Sequence, residues 1–143
     1  MTRYEELCDQ ADTEQIEIHH VDINVPGMCA SYIRAKGRRC IFLKKNATTD
    51  QNLCWLAEEL GHHFTGSDRF MRYDCPEDWK DEARARRWAH SRLLSPDAIR
   101  IAARNTDDIY EIADVLSVTV DFLTEAISDY VTKGLWPSFP LAL

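Results

Sequence analysis

Nowhere does the sequence approach the roughly 20 consecutive apolar residues that a membrane-spanning helix requires, so a spanning helix is excluded. It also lacks an excess of positive charge: 24 acidic residues against 17 basic ones give −7 at neutral pH. A chain-wide footprint on nucleic acid or on an anionic membrane is therefore excluded, and any such contact would need a local basic patch. No C-x-x-C pair occurs. The five cysteines, Cys8, Cys29, Cys40, Cys54 and Cys75, are odd in number and follow no secretory signal. They read as reduced thiols, and the expected compartment is the cytoplasm. Internal repeats and low-complexity segments are missing as well. What is present is a chain of 143 residues, 45% of them hydrophobic, which is enough for one domain with a continuous core.

Residue periodicity divides this domain into a mixed first half and a helical second half. Tyr4 to Ala11 has helical spacing, and Ile16 to Ile23 then alternates apolar and polar positions as a half-buried strand does. The Pro26-Gly27 pair closes that strand. Two extended runs, Ala30 to Arg34 and Arg39 to Leu43, flank the short connection Ala35-Lys36-Gly37-Arg38 and predict a hairpin. A small antiparallel sheet is thus expected within residues 1–66. Thr48 with Gln51 three positions on resembles a capping box, opening a helix through Leu53, Trp55, Leu56 and Leu60 that ends near Gly66. Residues 67–77 read as a loop. The second half, about 77–134, is expected to be helical. Its first helix runs from Glu77 to Leu94 with Trp79, Ala83, Trp88 and Leu93 as apolar anchors, and Ser95-Pro96 opens a short second one. Thr106 is the expected cap of a third, and Thr119 that of a fourth, which ends at Gly134. The tail 135–143 carries too much proline for regular structure and is expected to pack on the core or to meet a partner.

The chemistry concentrates on the helix that begins after Thr48, in Glu58-Glu59-Leu60-Gly61-His62-His63. Positions 58 and 62 are one helical turn apart on one face, so Glu58 and His62 could hold one metal ion between them. Glu59, about 100° round the helix, could reach a water on that ion. A zinc hydrolase needs three protein ligands, an open fourth position and a carboxylate to take the water's proton. The helix offers two ligands and the base; a solvated helix surface has the same composition.

The wider pattern is more specific. Leu56-Ala57-Glu58-Glu59-Leu60-Gly61-His62-His63-Phe64-Thr65-Gly66, then Glu82-Ala83-Arg84-Ala85-Arg86-Arg87-Trp88-Ala89 and Leu93-Leu94, resembles the ImmA/IrrE metallopeptidase family. That family carries His-Glu-x-x-His on one helix and Glu-x-x-Ala-Asn-x-Phe-Ala on the next. Tyr4-Glu5-Glu6-Leu7-Cys8 and Tyr110-Glu111-Ile112-Ala113-Asp114-Val115-Leu116 extend the resemblance over most of the chain. It implies that Glu59 is the general base, His62 the second zinc ligand and Glu82 the glutamate ligand. Glu58 stands where the family has its first histidine, Arg86 where it has asparagine, and Trp88 where it has phenylalanine. The fold implied is α+β and zincin-like: a small N-terminal antiparallel sheet packed on the motif helix, then a helical C-terminal half. The function implied is that of a cytosolic endopeptidase, often associated with phages or mobile elements, which cleaves a helix-turn-helix repressor and so relieves repression.

Glu58 leaves three arrangements open. Glu58, His62 and Glu82 could complete a three-ligand site, with zinc as the expected ion and manganese as the alternative. Two anionic ligands would offset the ion's charge, acidify its water less and slow hydrolysis. Alternatively, Glu58 points to solvent and the metal is lost, leaving a pseudo-peptidase that acts by binding its repressor. In the third arrangement Glu59 and His63, also one turn apart, form the metal pair and no base remains.

Other candidates read as structural. His19 and His20 sit on the first strand, one expected to pack and the other to be exposed, with no convergent partners to make either a ligand. His90, Cys54, Trp55, Trp79 and Trp88 read as packing, and Arg84, Arg86, Arg87 and Arg92 as salt-bridge partners. Residues 112–123 resemble a helix-turn-helix. A DNA-reading helix needs cations or amides, however, and this one carries Asp121, Glu125 and Asp129. No direct nucleic-acid contact is expected there; a packing role, or docking of a basic partner protein, fits better.

Overall fold

The computed structural model describes residues 1–66 and 76–135, and the side chains of 76–78 are not considered. The loop expected at 67–77 falls almost wholly, and the proline-rich tail beyond Leu135 entirely, outside the described residues. The chain divides into two compact units, 1–89 and the residues from His90 onward.

In the first unit, helix α1 (Arg3–Thr13) starts from a capping box in which Thr2 and Glu5 satisfy each other's backbone N–H groups. Gln15, at φ 59°, turns the chain into β1 (Ile16–Val21). Strands β2 (Ala30–Ala35) and β3 (Arg38–Lys44) form the expected hairpin. Lys36 and Gly37 both have positive φ, 52° and 75°, which is the two-residue turn whose twist matches that of the flanking strands.

The sheet is mixed, a correction to the expectation of an antiparallel one. Its order is β1-β3-β2, with β3 antiparallel to β2 but parallel to β1, Glu17 standing beside Cys40. Strand β3 takes the centre because it carries the fully buried Ile41 and Leu43. The 22–29 connection leaves room for it between β1 and β2, so on its return it runs in the same direction as β1. Alternation then puts Ile16, Ile18, Ile41 and Leu43 on one face and Glu17, His19, Cys40 and Phe42 on the other. Helix α2 (Thr49–Phe64) begins at the expected capping box and packs on β2 and β3, burying Leu53, Leu56, Ala57 and Leu60. Helix α3 (Pro76–Leu93) follows.

The second unit is helical, as expected. Ser95 caps α4 (Pro96–Ala102), with Pro96 at its first position. Asp108, and not Thr106, caps α5 (Ile109–Leu116); the Thr106 hydroxyl instead accepts from the Asp108 N–H one step earlier. Ser117, at φ 56°, makes the joint to α6 (Val120–Thr132), which Thr119 caps. Ile99, Ile112, Phe122, Leu123 and Ile127 form its core. Inside it lies His90, edge-on to Phe122 with ring centroids 5.1 Å apart and Asp129 3.6 Å from its Nδ1. That surrounding agrees with the structural role expected of His90. Trp79, by contrast, is 58% exposed and is no core anchor.

Candidate metal centre

The centre depends on how closely α2 and α3 approach. Both Gly61 and Ala85 are buried at the crossing, and a Cβ built on Gly61 would lie 2.3 Å from the Ala85 carbonyl oxygen. Backbone therefore meets backbone at this point. His62 follows Gly61 and Glu82 precedes Ala85 by one turn, so the contact brings their side chains together. His62 Nε2 stands 3.0 Å from Glu82 Oε2. Phe64 stacks on Trp88 with centroids 5.0 Å apart and planes at 16°, fixing the helix pair one turn further on.

Glu59 lies on the neighbouring face of α2, where its carboxylate accepts the backbone N–H of Tyr32 on edge strand β2. Burial raises its pKa to about 7; the His62 ring opposes that rise and the Glu82 charge adds to it. Burial also disfavours a charged His62, yet contact with Glu82, together with the charges of Glu59 and Glu58, outweighs it and raises the imidazole above its ordinary value. Glu82 is held below the usual carboxylate range by His62, with Arg86 adding to the effect. Arg86 Nε approaches the other Glu82 oxygen at 3.4 Å. The arginine that departs from the family pattern thus occupies Oε1 and leaves Oε2 facing His62. Its neighbour Arg84 pairs with the buried Asp81.

These residues suit a divalent cation in one respect that can be read directly. Among the described residues His62 Nδ1 and Glu82 Oε2 are buried with no well-formed hydrogen bond, although the two side chains approach to 3.0 Å through Nε2. Two donors each about 2.0–2.2 Å from one zinc ion can stand about that far apart. Glu58 is half-buried one turn before His62 and raises its pKa. It is less closely drawn in: among the described residues, Glu58, His62 and Glu82 do not bring their donor atoms within 4.8 Å as a set.

The alternative pair of Glu59 and His63 does not form a site. Both His63 nitrogens are engaged, Nε2 with Glu14 at 2.8 Å and Nδ1 with the Tyr32 hydroxyl at 2.9 Å. His63 therefore ties α2 to the turn after α1 and to β2. Neither Glu14 nor Tyr32 stood out in the sequence, because each lies more than 30 residues away and no local spacing links them to His63. Cys54 is buried packing, as expected.

An α+β chain whose motif helix meets a glutamate on the next helix is zincin-like in architecture. Residues 10–128 match the model of the IrrE N-terminal-like domain, peptidase family M78, and the chain belongs to that metallopeptidase family. No curated protein matches the chain. Among the described residues no helix is long and apolar enough to cross a membrane.

Proposed function

We propose that the protein is a metal-dependent endopeptidase in which Glu58, His62 and Glu82 hold zinc or manganese and Glu59 is the general base. The observation that carries this reading is the paired approach of His62 and Glu82 beside a Glu59 whose pKa is about 7. The ion would supply Lewis acidity toward the scissile carbonyl and the attacking water. Glu59 takes the proton of that water and delivers it to the departing amine, a task suited to a carboxylate that titrates near neutral pH. The N–H of Tyr32 holds Glu59 in place for this. His62, raised in pKa by its carboxylate neighbours, must lose a proton to become a ligand, so metal binding should release protons and strengthen with pH.

The proposed substrate is a helix-turn-helix repressor whose cleavage relieves repression, in the cytoplasm and in the setting of a phage or mobile element. The acidic surface of α6, with Asp121 and Glu125 exposed, supports docking of a basic partner protein over contact with DNA. A second reading has its own support: Glu58 stands off from His62 and Glu82, so among the described residues the third ligand is not drawn in with the other two. On that reading the chain is a pseudo-peptidase that binds its repressor.

Incubation with a helix-turn-helix repressor protein, with added zinc or manganese, distinguishes the two. Peptidase action gives defined fragments by mass spectrometry that disappear on chelation. An intact complex that yields no fragments even with zinc or manganese supplied, and that is unchanged by chelation, contradicts peptidase action and supports the binding protein.

A further inference from the structure

The face of the sheet turned away from α2 carries a second set of metal donors. Alternation sends Glu17 and His19 of β1 to that face, and the parallel register sets Cys40 of β3 beside Glu17. Glu17 Oε1 lies 3.3 Å from His19 Nε2, and Glu17 Oε2 lies 3.9 Å from Cys40 Sγ. One ligand atom from each residue falls within 4.8 Å of the others. The His19 ring stacks on Phe42 of β3, centroids 5.6 Å apart and planes at 24°, which limits its rotation. We propose that Glu17, His19 and Cys40 form a binding site for a borderline transition-metal ion such as Zn²⁺ or Co²⁺, separate from the centre on α2 and α3.

A thiolate, an imidazole and a carboxylate are the donors such ions select, whereas calcium and magnesium prefer oxygen alone. The half-exposed position of Glu17 and His19, 43% and 42%, leaves a fourth coordination position for water or an outside ligand. Bound there, the ion would bridge the seam between β1 and β3. Arg38 stands as a competitor: it donates Nε to Glu17 Oε2 at 2.9 Å and Nη2 to Oε1 at 2.7 Å. It keeps Glu17 ionised, with a pKa of about 2, and its own side chain is 67% exposed and free to swing outward. An incoming cation displaces a guanidinium from a ready-made carboxylate, and Cys40 releases its proton to solvent as the sulfur–metal bond forms.

The test is a Co²⁺ titration of the full chain read by near-ultraviolet absorption. The other centre contains no sulfur ligand, so thiolate-to-cobalt charge transfer separates this site from it, whether or not the peptidase reading holds, and loss of the band in Cys40→Ser assigns it among the chain's five cysteines. The expected result is a saturable band in the wild type, lost in Cys40→Ser and weakened at least about tenfold in affinity by His19→Ala. Arg38→Ala should bind cobalt several-fold more tightly, an effect that loss of fold could not produce. Absence of the band, its persistence in Cys40→Ser, or indifference to both His19→Ala and Arg38→Ala would overturn the proposal.

Discussion

Replacing Gly61 with alanine is expected to destabilise the protein by about 1–3 kcal/mol and to abolish metal binding at His62 and Glu82. Helix propensity alone points the other way, since alanine is favoured over glycine in a helix interior by about 1 kcal/mol. Steric overlap decides the sign. The added methyl would lie 2.3 Å from a carbonyl oxygen and 2.9 Å from its carbon, and both are backbone atoms with no rotamer to yield. Relief requires α2 and α3 to separate, which pulls Glu82 away from His62 and loosens the Phe64–Trp88 stack. Urea denaturation followed by zinc titration checks both consequences. A Gly61→Ala protein that is more stable than wild type, with metal affinity intact, would show that the close crossing is not what assembles the centre.

Glu59→Gln is expected to lower hydrolysis by about a hundredfold to ten-thousandfold while leaving metal content unchanged, because glutamine cannot accept the water's proton. The same substitution tests the environment of Glu59 by an independent route. Its folded pKa of about 7 lies above the ordinary 4.5, so between those pH values the folded, metal-free protein holds a proton that the unfolded chain has released. Stability of that form should therefore fall as pH rises from 4.5 to 7, by up to roughly 3 kcal/mol. Glu59→Gln should remove this part of the slope, leaving the fall that His62 contributes above its ordinary value, and leave the metal-free protein more stable above pH 7. Equal pH profiles for the two proteins in chelator would mean that Glu59 is not buried against its neighbours as described.

What could be read from the sequence was local. The capping box at Thr48 and Gln51, the Ser95-Pro96 start and the Lys36-Gly37 turn each depend on residues at most three positions apart, and all three form. Helix boundaries followed, because caps and spacing mark them. The resemblance of Glu58 to Gly66 and Glu82 to Ala89 to one family likewise lay in two short stretches, and the family is the one the chain belongs to. What escaped was long-range. Parallel pairing of β1 with β3 joins residues 23 apart, and no propensity encodes that register. For the same reason His19 read as a histidine without partners, although its neighbours Glu17 and Cys40 were in plain view. The cap of α5 was misplaced by two residues because Thr106 and Asp108 are both good caps, and Asp108 is the one whose side chain reaches the Tyr110 N–H. Arg86 read as a salt-bridge partner, and it is one, with Glu82 one helical turn before it.

Whether the helix pair holds a metal decides between an enzyme and a binding protein, and one measurement tests that directly. Elemental mass spectrometry on protein purified without chelators, and again after zinc addition, should find near-stoichiometric zinc or manganese at this centre in the wild type and its loss in both His62→Ala and Glu82→Ala. Any metal on the sheet face would survive those two substitutions and is counted separately through Cys40→Ser. Wild-type protein that takes up no metal sensitive to His62→Ala and Glu82→Ala, even with zinc supplied, would contradict the peptidase assignment and leave a repressor-binding protein on a peptidase fold.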